Sequence, residues 1–316
     1  MSASGYARLV AEPLLRIGEL SRRSGYSADV IRAWERRYDL LRPTRTDGGY
    51  RLYSADDISR LRLMRHYLAR GIPTSRAAGL VDRVQTAALD ANPGVPPSDV
   101  RKALRVLRDS LESFDDGPAD RTLERLLGVF APGAVLRDVV LPYLREVGER
   151  WACGEATIAQ EHFASNFLEG WMHTMARGWN RSGPYRAVLA CVPGERHALG
   201  LMAFGLALHD LGWRITYLGA DAPLAAVEHA ADAVAADVVV LSAALPATLA
   251  ARLDDLRGLA RTHAVAVGGA GATANCSEWL ASRSVPADPI IAAHALTAHQ
   301  QVAQRPTAET RQAPIT

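Results

Sequence analysis

The stretch Pro193-Gly194-Glu195-Arg196-His197-Ala198-Leu199-Gly200 places a carboxylate two residues before a histidine in a glycine-punctuated segment. One imidazole nitrogen can ligate a metal while the carboxylate holds the other and fixes the ring orientation. Ser242-Ala243-Ala244-Leu245 and Gly268-Gly269 follow in two later segments. Glycines at 200, 268 and 269 let a bulky ligand approach the backbone. Taken singly these signals are weak: a lone loop histidine is commonly a cap or a surface residue. A second group begins at Trp151 and runs to Glu161-His162, with Ile158, Glu161 and His162 on one helical face. Its bland reading is a core helix with Glu161 and His162 hydrogen-bonded inside. A third group is basic. Arg32 and Arg36 are four apart, so they share a helix face, and Arg51 lies further on beside Tyr50. Arginine's planar fork suits guanine edges and phosphates. Around it, Trp34 and Tyr38 read as packing for a small core and Glu35 as the partner of a neighbouring arginine.

The elements that must position these groups follow from composition and pattern. The chain has 316 residues, 48% hydrophobic and 22% charged, an ordinary globular balance that fits two or three domains. No apolar run reaches membrane-spanning length, and Met1–Val10 does not read as a secretory signal. Cys153, Cys191 and Cys276 are far apart, which argues against a disulfide scaffold or a cysteine-rich zinc module. A cytoplasmic protein with no membrane partner is expected. Between Pro13 and Arg83 stand fifteen arginines against eight acids, a surplus of seven in a chain whose net charge is +2. A basic first part on an acidic remainder points to a polyanion partner for the first part.

Helices are expected over Leu15–Ser24, Ala28–Tyr38 (with Ser27 as N-cap), Ile58–Arg70 and Pro73–Val84. Thr46-Asp47-Gly48-Gly49 reads as the turn of a hairpin joining Leu41–Arg45 to Tyr50–Tyr53. This is a winged helix-turn-helix layout over residues 13–84. Residues 85–99, with Asn92-Pro93-Gly94-Val95-Pro96-Pro97, read as a linker. Residues 100–182 read as a four-helix bundle. Residues 183–296 alternate short strands at Ala187–Val192, Arg214–Leu218, Asp237–Ser242 and Ala264–Val267 with helices, the pattern of a doubly wound, flavodoxin-like parallel sheet. In such a sheet all three glycine-bearing loops would lie at the ligand-binding edge. Residues 297–316 read as a disordered tail.

The motifs Leu15-Arg16-Ile17-Gly18-Glu19-Leu20, Val30–Tyr38 and Gly48-Gly49-Tyr50-Arg51-Leu52-Tyr53-Ser54 resemble the MerR family of transcription regulators. That resemblance implies a homo-oligomer, dimer or tetramer, on a palindromic duplex, with DNA contacts from Arg32, Arg36, Tyr50 and Arg51. The later loops resemble the Asp-x-His-x-x-Gly, Ser-x-Leu, Gly-Gly pattern of cobalamin-binding folds, with Glu195 in place of the aspartate and Leu245 one residue late. This implies base-off binding with His197 as lower cobalt ligand, and Glu195, Gly200, Ser242, Gly268 and Gly269 around the cofactor. The order of domains, with Trp151, nine residues and Glu161-His162, resembles the CarH/LitR group of adenosylcobalamin-dependent photoreceptor repressors. It implies that Trp151, Ile158, Glu161 and His162 cover the upper face and the 5′-deoxyadenosyl group. Ala152 departs from that group, where a histidine often stands. The function expected is a light-responsive, adenosylcobalamin-controlled repressor, not an enzyme. The alternatives are a light-insensitive cobalamin sensor, a cobalamin-independent regulator, and a corrinoid enzyme or methyl carrier.

Overall fold

The computed structural model describes residues 15–46, 49–69, 71–91, 94–181, 183–273, 278–281 and 283–303. The first unit holds α1 (Ile17–Ser24), α2 (Ala28–Tyr38), the antiparallel pair β1 (Thr44–Arg45) and β2 (Arg51–Leu52), α3 (Ala55–Ala69) and α4 (Thr74–Ala91). Ser27 caps α2 as expected, its hydroxyl accepting from the Val30 N–H at 3.3 Å. Leu15 belongs to no helix; it exchanges backbone hydrogen bonds with Tyr53 and closes the wing onto the core. α3 starts three residues earlier than Ile58 because Ser54 and Asp57 cap it reciprocally. Asp47 and Gly48 of the expected turn lie outside the described residues. Leu20, Ile31, Leu41, Tyr53, Leu61 and Met64 form the buried centre.

Much of the expected linker is helix. No proline or glycine interrupts residues 85–91, so α4 runs on to Ala91, and the next helix starts at Pro97. Val95 between them is buried, and its N–H donates to Asp138 Oδ2 at 2.9 Å.

The middle unit is a bundle of α5 (Pro97–Glu112), α6 (Gly117–Leu127), α7 (residues 132–152) and α8 (Ile158–Met175). α7 is built from Pro132–Val135, a π-helical turn Leu136–Val140 and Leu141–Ala152. Pro142, which has no N–H to donate, follows that widened turn. Thr157 and Gln160 form a capping box at the start of α8, each side chain accepting from the other's backbone N–H.

The third unit runs β3 (Tyr185–Cys191), α9 (Leu199–Asp210), β4 (Trp213–Gly219), α10 (Leu224–Val234), β5 (Val238–Ser242), α11 (Pro246–Ala250), α12 (Leu253–Leu259), β6 (Val265–Gly268), a 3-10 turn (Ala270–Thr273), α13 (Glu278–Ala281) and α14 (Pro289–Ala303). Its sheet is parallel with strand order β4-β3-β5-β6. The chain moves one way from β3 and the other way from β5, so the switch point lies between their carboxyl ends.

The expected tail from 297 is corrected by α14, which continues to Ala303. Thr297 is buried, and its hydroxyl accepts from the Trp213 indole N–H at 2.9 Å while donating to the Ala293 carbonyl. Asp288 caps the helix through the Ile290 and Ile291 N–H groups, with Pro289 in the first turn, where no N–H is needed.

Candidate cofactor site and nucleic-acid interface

The loop after β3 emerges at the switch point and carries Glu195 and His197. The Glu195 side chain is 2% exposed, whereas that of His197 is 75% exposed. Glu195 Oε1 accepts from the His197 backbone N–H at 2.8 Å and meets Nδ1 of the ring at 2.5 Å. Its Oε2 accepts from the Ala244 N–H at 2.7 Å, which ties this loop to the one after β5. Burial alone would raise the Glu195 carboxyl. The N–H groups of His197 and Ala244 and the imidazole outweigh it, and hold the carboxyl below its ordinary value. The ring is therefore steered at Nδ1, and Nε2 is left on the open side. Cys191, at the end of β3, is buried: burial, then the Glu195 charge, push its thiol up to about 12, and its Sγ donates to the His197 carbonyl at 3.7 Å.

The other predicted residues of this edge converge on the same place. Ser242 ends β5 in register with Cys191 and Gly268. A side-chain carbon at Gly269 would lie 2.3 Å from the Ala243 carbonyl oxygen, so that position admits glycine alone. At Gly200 the same carbon would meet nothing within 4 Å; the fold itself does not demand glycine there, and the open space is room for a ligand. Asp221, just past β4, was not singled out from sequence. Its Oδ1 accepts from the Gly194 N–H at 2.6 Å, and its own N–H donates to the Glu195 carbonyl at 2.8 Å. The cue was slight, an aspartate in Gly219-Ala220-Asp221-Ala222-Pro223 at a strand end.

The bundle holds the second set at the α7–α8 connection. Trp151 and Ile158 are 48% and 59% exposed. Glu161 Oε2 meets His162 Nδ1 at 2.6 Å, and Ser165 donates to Glu161 Oε1 at 2.8 Å. The core reading of this pair does not hold, since the His162 side chain is 68% exposed. Arg150 pairs with Glu112, and Gln160 Nε2 donates to the Glu112 carbonyl, so the connection is braced to α5. Ala152 and Cys153 are exposed at the end of α7. No hydrogen bond, ion pair or ring contact among the described residues joins this set to the His197 loop.

Among the described residues no three metal-ligating side chains cluster. A metal that carries its other ligands in its own ring, as cobalt in a corrin does, would need only one such side chain. A single steered imidazole, open glycine space, and uncovered aromatic and aliphatic side chains on the bundle fit such a group.

On the first unit, Arg32, Arg36 and Tyr50 are exposed. Arg32 pairs loosely with Asp29 at 3.2 Å. Arg51 is tied inward: its Nε donates to Glu35 Oε1 at 2.8 Å, and Tyr53 donates to the other oxygen at 3.1 Å. Glu35 thus fastens the wing to α2. Trp34 packs edge-on to Tyr26 at 4.7 Å and, with Tyr38, against the core, so both are structural as expected.

Comparison with known proteins agrees with this layout. Residues 15–84 match the MerR HTH family regulatory protein profile, and residues 103–174 and 185–302 match two B12 binding domain profiles. The chain is 34% identical to the HTH-type transcriptional repressor CarH of Myxococcus xanthus, over 74% of this chain and 80% of that one. It is 34% identical to the repressor CarA of the same organism, over 82% and 87%. Among solved structures, the monomethylamine corrinoid protein of Methanosarcina barkeri aligns at 18% identity with a TM-score of 0.48, covering 61% of this chain and 96% of that one, a likeness from which no function follows.

Proposed function

The chain, a MerR helix-turn-helix followed by B12 binding domains, belongs to the family of HTH-type transcriptional repressors that includes CarH and CarA, and from that premise we propose that it is a repressor whose hold on duplex DNA is set by adenosylcobalamin and changed by light. The observation that carries this reading is the Glu195–His197 pair, a ring steered by a buried carboxylate with its second nitrogen in the open. His197 is the lower cobalt ligand in this reading, and Glu195 and Asp221 fix its loop. Ser242, Gly268 and Gly269 line the groove for the displaced nucleotide tail, and Gly200 leaves room for the cofactor beside the loop. Trp151 and Ile158 pack on the adenosyl group, and Glu161 and His162 hydrogen-bond it. Bound adenosylcobalamin supplies a cobalt–carbon bond that light can break.

The chain's part is to read that change. Exposed apolar side chains on the bundle gain cover when the cofactor is present and lose it with the adenosyl group, so the two states differ in buried area. That difference sets a homo-oligomer, dimer or tetramer, on a palindromic duplex, with Arg32, Arg36, Tyr50 and Arg51 on the DNA. A second reading, a light-insensitive cobalamin sensor, is favoured by Ala152, which has no atom to ligate cobalt.

The lower-ligand assignment is tested by electron paramagnetic resonance of full-length protein carrying nitrogen-15 histidine and loaded with cob(II)alamin. The expected spectrum shows each cobalt line split in two by the labelled ring. Splitting in three, from the cofactor's own base, would overturn it. The two readings separate on illumination: loss of DNA binding under green light supports the first, and an unchanged titration the second.

A further inference from the structure

We propose that α14 is the seat on which the DNA-binding unit is mounted, and that it links the posture of that unit to the His197 loop. Ile290, Ala292, Ala293 and Leu296 belong to the core shared by the bundle and the sheet. Ala295, fully buried, belongs to the other core, whose remaining buried members all come from residues 15–84. Ile291 and Ala298 pack against that same core. Positions 291, 295 and 298 are spaced four and three apart, so they form one stripe, opposite the stripe that faces the sheet unit. α14 is therefore buried on two sides by two different units.

The packing partners make this a connection. Toward the first unit, α14 lies against α4, and α13 touches α3. Toward the third unit it lies along α9, which begins two residues after His197. The Trp213–Thr297 hydrogen bond fixes it to the start of β4. Small side chains at 295 and 298 allow α4 to come close. A shift of α9 reaches α4 through this helix, because close-packed interiors pass displacement on. Arg32, Arg36 and Tyr50 stay exposed while α4 is docked, so mounting and DNA contact use different faces.

The coupling half of this inference rests on the cobalamin reading above; the seat does not. The test uses the full chain with Ala295→Glu and, at the half-buried neighbour, Ala298→Glu. Both should keep the visible spectrum of bound adenosylcobalamin, which reports an intact fold. Backbone amides of α4 should exchange hydrogen about tenfold faster or more in both variants. Adenosylcobalamin should change the wild-type affinity for a selected duplex about tenfold, and that of the variants less than about threefold. Unchanged exchange at α4 in both variants, or an undiminished cofactor response in them, overturns the proposal. A wild-type chain whose DNA affinity ignores the cofactor overturns the functional reading, and the exchange result then still decides the seat.

Discussion

Glu195 governs what His197 can do. A buried carboxylate with three hydrogen-bonding partners cannot move without stranding the N–H groups that it satisfies. Glu195→Gln keeps the shape and loses the charge, so cobalamin affinity should fall about 10–100-fold, as second-shell losses do. Asp221→Ala should weaken binding in the same direction by freeing Gly194, with the bound spectrum retained. His197→Ala should cost more and shift the spectrum, and a wild-type spectrum in that variant would contradict the assignment. Equilibrium dialysis with visible spectra reads all three. Glu195 and His197 were legible in the sequence because their contact spans two residues and needs no tertiary information. Asp221 was not, since it reaches the loop from the next strand, and only the sheet order brings them together. Arg51 was legible as a wing residue, but its tie to Glu35 depends on how the hairpin folds back onto α2.

Elements with local caps were read closely. α2 came out over its expected span because Ser27 starts it and Asp39, in a left-handed conformation, ends it. α14 was missed although Asp288-Pro289 is a start signal, because a helix buried on two faces shows no single apolar stripe. Its polar residues, Thr297 among them, read as a tail, yet Thr297 is the partner of the buried Trp213 ring. Thr297→Val preserves volume and leaves that indole N–H unpaired. It should lower unfolding free energy by about 1–3 kcal/mol in urea melts, whereas an unchanged midpoint would show that the hydrogen bond contributes nothing. α4 runs past the expected end at Val84 to Ala91, since residues 85–91 hold no proline or glycine to stop the helix.

At the scale of the whole molecule, the basic, helical and alternating stretches told the order of the units from charge and pattern. Their posture was hidden, since it depends on α14 and on Val95, whose contacts reach far along the chain. The arginine surplus should appear as salt dependence. Arg32→Ala with Arg36→Ala should weaken duplex binding and flatten the slope of affinity against salt, read by fluorescence anisotropy. Unaltered affinity would remove these residues from the interface. The repressor reading as a whole meets its most direct test in one titration. A duplex selected by the full-length protein from a random pool is titrated with adenosylcobalamin-loaded protein in the dark, then after green light. Tight binding in the dark that weakens about tenfold or more on illumination, with His197→Ala showing no such change, is the expected result. Equal affinity in the dark, in the light and without cofactor would contradict it.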